Sequence, residues 1–354
     1  ALNFPKDFLD NSLVDGLVTK EELKERLAAL SVKDSFDDVK FISFADYVTA
    51  KVSPNLKAKK KIAVIYADGD IVDGFGRQDV AGDYFANQIA KVRADSTAKA
   101  VVFRVNSPGG SVLASEKIRE EIDLLKEQKP LVASYGDYAA SGGYWISNSC
   151  DRIFADKTTL TGSIGVFSMI PDFSGTLKDI AHVNITPVNS NKHGDMLSLF
   201  RPLDEVETAA MQASVEDIYT TFVNYVAEGR GLEPDFVDSI AQGRVWTGAD
   251  ALEIGLVDEI GTLQDALRYT CRLAGNSDVS AWNIASYPTP LTPMESILAM
   301  IQESGKDEFS AGAKIGAGVG AASAFEGAAS AILRIAKMEK PEVLALMPAL
   351  YDIR

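Results

Sequence analysis

The chain has 354 residues, of which 46% are hydrophobic and 24% charged, and carries a formal net charge of −15. That length admits two or more domains, and the composition is ordinary for a globular protein. The acidic balance argues against a nucleic-acid surface, which needs clustered Lys and Arg, and the single basic run, Lys57–Lys61, reads as a solvated linker ahead of a strand.

In chain order, the first informative stretch is Leu13-Val14-Asp15, which continues through Thr19 into an amphipathic run ending near Leu27. A second stretch, Leu256-Val257-Asp258, continues through Thr262 into a similar run. In both, the Thr is placed to cap the helix that follows. The repeat implies that residues 1–30 close a preceding copy of a domain that residues 61–275 contain in full. Residues 31–60 are then a linker carrying Ser53-Pro54. The chain opens on Ala1 without an initiator methionine, which suggests a fragment of a tandem protein.

From Lys61 onward, strands are expected at Ile62–Tyr66, Ala100–Val105, Pro130–Tyr135 and Arg152–Ala155. Helices are expected over Val80–Asp95 and Val112–Glu127, with a further helix opening at Ser141. This alternation predicts an α/β fold with a parallel sheet covered by helices. Helices follow over Asp204–Arg230 and Glu233–Gln242. The stretch Gly243–Ile260 adds a strand, a capped helix and a closing strand. Residues 276–354 read as a helical tail with proline punctuation at 288–293. Within it, Ala311–Ile335 is interrupted by Lys314, Glu326 and Arg334, so it reads as a packed or surface-lying helix rather than a membrane span.

Chemistry concentrates in two glycine turns, each between a strand and a helix. Asn106-Ser107-Pro108-Gly109-Gly110-Ser111 is the first, and Tyr138-Ala139-Ala140-Ser141-Gly142-Gly143-Tyr144 the second. Small neighbours leave the Ser141 hydroxyl open to a substrate, and glycines permit close approach of another backbone. One turn offers a nucleophile and the other offers N–H donors for an oxyanion, the pattern of a serine hydrolase. Cys150 and Cys271 read as small core residues whose pairing the sequence leaves open. No metal-ligand spacing occurs, the histidines are His182 and His193 alone, and no metal or cofactor is expected.

These two turns, with Thr161-Gly162-Ser163-Ile164-Gly165-Val166, Gly243-Arg244-Val245-Trp246-Thr247-Gly248 and Gly255-Leu256-Val257-Asp258, make the chain resemble the signal peptide peptidase A family over about residues 60–270. The resemblance implies a ClpP/crotonase-like fold of repeated β-β-α units. It also implies a Ser–Lys dyad acting on cleaved signal peptides and other short apolar peptides. Its long form has two tandem copies, in agreement with the repeat. It further implies a homo-oligomer in the bacterial envelope, with the catalytic domain outside the cytoplasm and an anchor in a segment not in this chain.

By position, Ser141 matches the nucleophile, Gly109, Gly110 and Gly142 the oxyanion donors, and Ser163 a serine that supports the lysine. The lysine departs from the pattern: Gly194 stands where short-form members carry it, and long-form members take it from the preceding copy. Lys192 is the nearest candidate within the chain, and Lys178 a more distant one. A Ser141–His193 pair with Asp195 or Asp137 would make a triad instead. Val112, Leu113, Tyr144 and Ile164 line a groove or belong to the core. A crotonase-like acyl-CoA enzyme and a non-catalytic scaffold copy are the alternative functions.

Overall fold

The computed structural model describes residues 4–43, 47, 55, 57–77, 79–289 and 342–346, and the chain divides into two units, Ala1–Pro54 and Asn55–Arg354. The first unit carries helices α1 (Pro5–Asp10) and α2 (Lys20–Leu30). Thr19 caps α2 as its position predicts. Its hydroxyl accepts from Glu22 N–H at 3.3 Å, and the Glu22 carboxylate accepts from Thr19 N–H at 2.6 Å. This reciprocal box satisfies N–H groups that the helix start leaves without partners.

In the second unit, the first elements are β1 (Lys61–Asp68), β2 (Ile71–Val72), β3 (Val80–Ala81), α3 (Gly82–Ala94), β4 (Ala98–Ser107) and β5 (Gly109–Ser111). Next come α4 (Val112–Lys126), β6 (Leu131–Ala140), α5 (Gly142–Trp145), β7 (Arg152–Ala155), β8 (Leu160–Gly162) and β9 (Phe167–Met169). The remainder comprises α6 (Glu205–Arg230), α7 (Pro234–Ile240), β10 (Val245–Thr247), α8 (Gly248–Glu253), β11 (Glu259–Ile260), α9 (Leu263–Leu273), β12 (Asn283–Tyr287) and β13 (Glu342–Leu346).

The main sheet runs β10-β8-β6-β4-β1-β12, with β7 beside β6 and β11 beside β7. Every pair is parallel except β10 on β8. Parallel neighbours require crossovers, and the helices that make them cover both faces. The strand period of two sorts the side chains. Ile65, Phe103, Val105, Leu131 and Tyr135 enter one core with Ile89 of α3, Ile118 and Ile122 of α4 and Phe222 of α6. Ile62, Val64, Val102 and Val132 enter another with Ala266 and Cys271 of α9. This is the mainly parallel α/β architecture that the alternation of elements predicts. Cys150 and Cys271 lie in different cores and are both free. Burial pushes both thiols up, Cys271 to about 11.

Three differences from expectation bear on the site. The strand expected to end at Tyr135 runs on to Ala140, one residue before Ser141. Val80–Ala81 is extended rather than helical because it pairs with β2. The helical tail falls mostly on residues 290–341, outside the described residues, as does the run 311–335. The described parts of that tail are a 3-10 turn (Val279–Ala281), β12 and β13. No helix among the described residues is long and apolar enough to cross a membrane.

Phe103 sits fully buried at the centre of the larger core. Phe103→Ala is expected to lower unfolding free energy by about 3–5 kcal/mol in urea titration. A loss of less than about 1 kcal/mol would mean that this face of the sheet is not close-packed.

Candidate active site

The approach to Ser141 is set by a slip in strand register. Val105 of β4 pairs with Tyr135 of β6, yet Ser107 pairs with Ala139, so β6 carries extra residues between these points. The side chain of Asn106 fills the break. Its Oδ1 accepts from the N–H groups of Asp137 and Tyr138 at 3.0 and 3.2 Å, while its Nδ2 donates to Asp68 at 2.8 Å. The bulge re-aims the end of β6.

Ser141 follows directly, with φ 53° and ψ −116°, and is fully buried. A non-glycine residue at positive φ is strained and persists only where its surroundings over-determine it. Here Ser141 N–H donates to the Gly162 carbonyl of β8, and Trp145 N–H donates to the Ser141 carbonyl, both at 2.8 Å. The hydroxyl faces the Gly165 carbonyl at 3.5 Å, the outer limit of a hydrogen bond. Gly143 lets α5 meet the end of β4, since a Cβ there would lie 2.5 Å from the Ser107 carbonyl oxygen.

α5 packs against β5, so the two glycine turns do converge. Gly109 and Gly110 have φ of 104° and 156°, and a Cβ on Gly110 would lie 1.9 Å from the Ile71 carbonyl oxygen. Only glycine fits that position. Gly109 N–H donates to the Ser107 hydroxyl at 3.2 Å. Ser163 is buried at φ 47°, with its N–H on the Arg244 carbonyl at 2.7 Å.

A polar clamp that the sequence reading missed holds α5 from behind. Trp145 Nε1 donates to Glu116 of α4 at 3.0 Å, and Tyr225 of α6 donates to the same carboxylate at 3.1 Å. Arg119 pairs with Glu116 at 2.7 Å, and its guanidinium lies 3.9 Å from the centre of the Tyr225 ring. Burial by itself would raise the Glu116 carboxyl, but hydrogen bonds from Arg119, Trp145 and Tyr225 hold it below its ordinary value. On the other side, Tyr144 donates to the Leu256 carbonyl at 2.8 Å. Asp258 accepts from Ile153 N–H at 2.7 Å and pairs with Arg230. The Leu256-Val257-Asp258 segment thus braces the helix after Ser141. Glu116 has no local signature in the sequence; only its inward position on α4 would have pointed to it.

Other candidates stand elsewhere. The Lys192 side chain is 76% exposed and makes a long 3.9 Å pair with Asp204. It therefore stands in solvent, whereas Ser141 is buried. Among the described residues, no lysine hydrogen-bonds Ser141. His193 Nδ1 lies 2.9 Å from Glu207, and Asp195 is held by Arg201 at 2.8 Å, so the alternative triad is not assembled. Arg201 hydrogen bonds keep the Glu207 carboxyl well below its usual range. His193, Asp204 and Glu207 group closely enough to hold a cation, but the Arg201 guanidinium already lies 2.7 Å from Glu207. Tyr144 and Ile164 belong to the core, and Val112 packs against it, whereas Leu113 is exposed.

The family described as Peptidase family S49 matches residues 123–276. Protease 4 of Haemophilus influenzae is 42% identical over 259 residues, covering 72% of this chain and 42% of that protein. A putative protease of Methanocaldococcus jannaschii is 37% identical over 215 residues, covering 60% of this chain and 69% of that protein. The chain thus spans less than half the length of the Haemophilus protein. Among solved structures, a ClpP1 mutant from Listeria monocytogenes aligns at 14% identity and TM-score 0.39, over 57% of this chain and 93% of that one.

The clamp makes Glu116 a positioning residue for the helix that begins after Ser141. Glu116→Ala is expected to cost about 2 kcal/mol in urea unfolding, because it strands the Trp145 indole and the Arg119 guanidinium. Glu116→Gln keeps an acceptor for Trp145 and should recover about half of that loss. Equal stability of wild type and Glu116→Ala would remove the clamp from the account.

Proposed function

Because the chain belongs to peptidase family S49, we propose that its Asn55–Arg354 unit is a serine endopeptidase copy acting on short apolar peptides, cleaved signal peptides among them. The observation that carries this reading is the strained, braced backbone of Ser141 set against the Gly109–Gly110 strand. Ser141 Oγ bonds to the substrate carbonyl carbon as its proton passes to a neutral lysine amine. The carbonyl electron pair moves onto oxygen, where N–H groups of the Gly109–Gly110 strand and of Gly142 receive it. The C–N bond then breaks as the lysine returns the proton to the leaving amine. Water, deprotonated by the same amine, releases the acyl group and restores Ser141. Ser163, buried on the segment that leads from β8 to Gly165, supports the lysine.

The lysine comes from a preceding copy of the domain. Two observations favour this. No described lysine hydrogen-bonds Ser141, and Leu13-Val14-Asp15 with Thr19 repeats the Leu256-Val257-Asp258 and Thr262 pattern of the second unit. Leu256 and Val257 are fully buried in the complete copy, whereas Leu13 and Val14 of the repeat are 59% and 39% exposed. On this reading the protein is a homo-oligomer with sites shared between copies. Its anchor is a segment outside this chain, and it works in the bacterial envelope outside the cytoplasm.

Hydrolysis of a fluorogenic apolar peptide tests the proposal, with this chain compared against the longer protein that includes the preceding copy. The chain alone is expected to show less than about 1% of the longer protein's rate, and Ser141→Ala should abolish both. Lys192→Met should leave the rate within about twofold. A loss of about a hundredfold in Lys192→Met would make Lys192 the base and defeat the split-site reading.

A further inference from the structure

Between Val105 and Ser107 the β4 backbone advances two residues, while its partner β6 advances four, from Tyr135 to Ala139. The residues between these points leave the ladder, and their backbone groups need other partners. Side chains around the bulge supply them. Arg104 of β4 donates to the Tyr135 carbonyl and, at 3.0 Å, to the Ser134 hydroxyl. The Thr159 hydroxyl donates to the Gly136 carbonyl at 2.7 Å, and Thr161 of β8 donates to the Ala139 carbonyl at 2.6 Å. Asn106 Oδ1 receives the N–H groups of Asp137 and Tyr138. Gly136 makes room for this amide, since a Cβ there would lie 2.5 Å from Asn106 Oδ1. The other end of the amide is fixed as well, because Nδ2 donates to Asp68 of β1. A reversed amide would set its NH2 against two N–H donors and its oxygen against a carboxylate, so only one orientation fits.

Asn106 belongs to both halves of the site. Its backbone leads through Ser107 and Pro108 into the glycine strand, where the Ser107 hydroxyl accepts from Gly109 N–H at 3.2 Å. Its carbonyl accepts from Gly69 N–H at 3.0 Å, in the turn before Ile71, and Ile71 pairs with Gly110. Its side chain meanwhile holds β6, where only Ala139 and Ala140 separate Tyr138 from Ser141. We propose that Asn106, held in one orientation by Asp68, is the positioning residue that sets the Ser141 hydroxyl against the N–H donors of the Gly109–Gly110 strand. This inference rests on the reading of Ser141 as the nucleophile and adds how its distance from the oxyanion donors is fixed. Asn106 makes no hydrogen bond to Ser141 and acts through the backbone of β6. Attack requires the hydroxyl to reach the carbonyl carbon while the carbonyl oxygen sits on its donors. A slip of about 1 Å between the two strands can cost on the order of a hundredfold in rate, with the peptide still bound. The role therefore belongs to kcat rather than to KM.

The test exchanges donor and acceptor. Asn106→Asp sets two carboxylates against each other, whereas in the double variant Asp68→Asn/Asn106→Asp an amide at position 68 donates to a carboxylate at 106. That carboxylate still accepts from Asp137 and Tyr138. In hydrolysis of the fluorogenic peptide by the longer protein, Asn106→Asp and Asn106→Ala are expected to lower kcat at least about thirtyfold, with KM within about twofold. The double variant should return to within about threefold of wild type. Asp68→Ala, at an exposed position, should lower kcat about fivefold and serves if the Asn106 variants fail to fold. Amide hydrogen exchange gives a readout without turnover: Asn106→Ala and Asp68→Ala should speed exchange at Asp137, Tyr138 and Ser141 about tenfold, and the double variant should restore it. Unchanged kcat, or unchanged exchange at these amides, in the folded single variants would overturn the proposal. So would a double variant no better than Asn106→Asp, or a loss confined to the yield of folded protein. The expected exchange pattern without any hydrolysis by the longer wild-type protein would defeat the peptidase reading and leave the placement of Ser141 by Asn106 standing.

Discussion

The site depends on one backbone constraint: Ser141 is held at positive φ, where a side chain costs on the order of 1–3 kcal/mol. Its neighbours meet that cost. The N–H is fixed on the Gly162 carbonyl and the carbonyl on Trp145 N–H. Tyr144 and Trp145, next along the chain, are almost wholly buried. Burial of each large side chain is worth roughly 2–3 kcal/mol, enough to outweigh the strain. The result is a hydroxyl carried on a rigid corner rather than on a loop.

That corner is kept in place from two sides by different physics. Behind it, Glu116, Arg119 and Tyr225 form a charge-assisted network around the Trp145 indole, and partial burial makes each missing partner expensive. On the other side, the Leu256 carbonyl receives the Tyr144 hydroxyl, and Asp258 ties the β7 backbone to Arg230. The strand bulge at Asn106 supplies the remaining degree of freedom. By letting β6 slip against β4, it sets how far the chain travels before it turns. Strain, clamp and bulge are one device spread over β4, β6, α4, α5 and α6.

A strand such as β5 presents, along its edge, backbone groups that pair with any strand nearby. Here the chain's own residues 342–346 take that edge. In the first unit, Leu13 and Val14 are exposed, whereas Leu256 and Val257 of the matching sequence in the second unit are buried.

Much of the fold was legible in the residues. Short apolar runs marked β1, β4 and β6, and the cap positions Thr19 and Thr262 appear in the structure with their reciprocal hydrogen bonds. The two glycine turns were legible because close backbone approach tolerates no other residue. Local pattern did not report where β6 ends, because the bulge is held by Asn106 from a neighbouring strand. Nor did it report that Lys192 is exposed, that His193 is engaged by Glu207, or that Glu116 stands behind the serine. The strand at 342–346 pairs with segments far away in sequence. By itself, then, the sequence determined most of the strands and helices between residues 61 and 275 and where the two glycine turns lie, since these follow from periodicity and backbone sterics. Tertiary structure alone decided which groups surround Ser141, because strand order and side-chain contacts are set by long-range packing that no local pattern encodes.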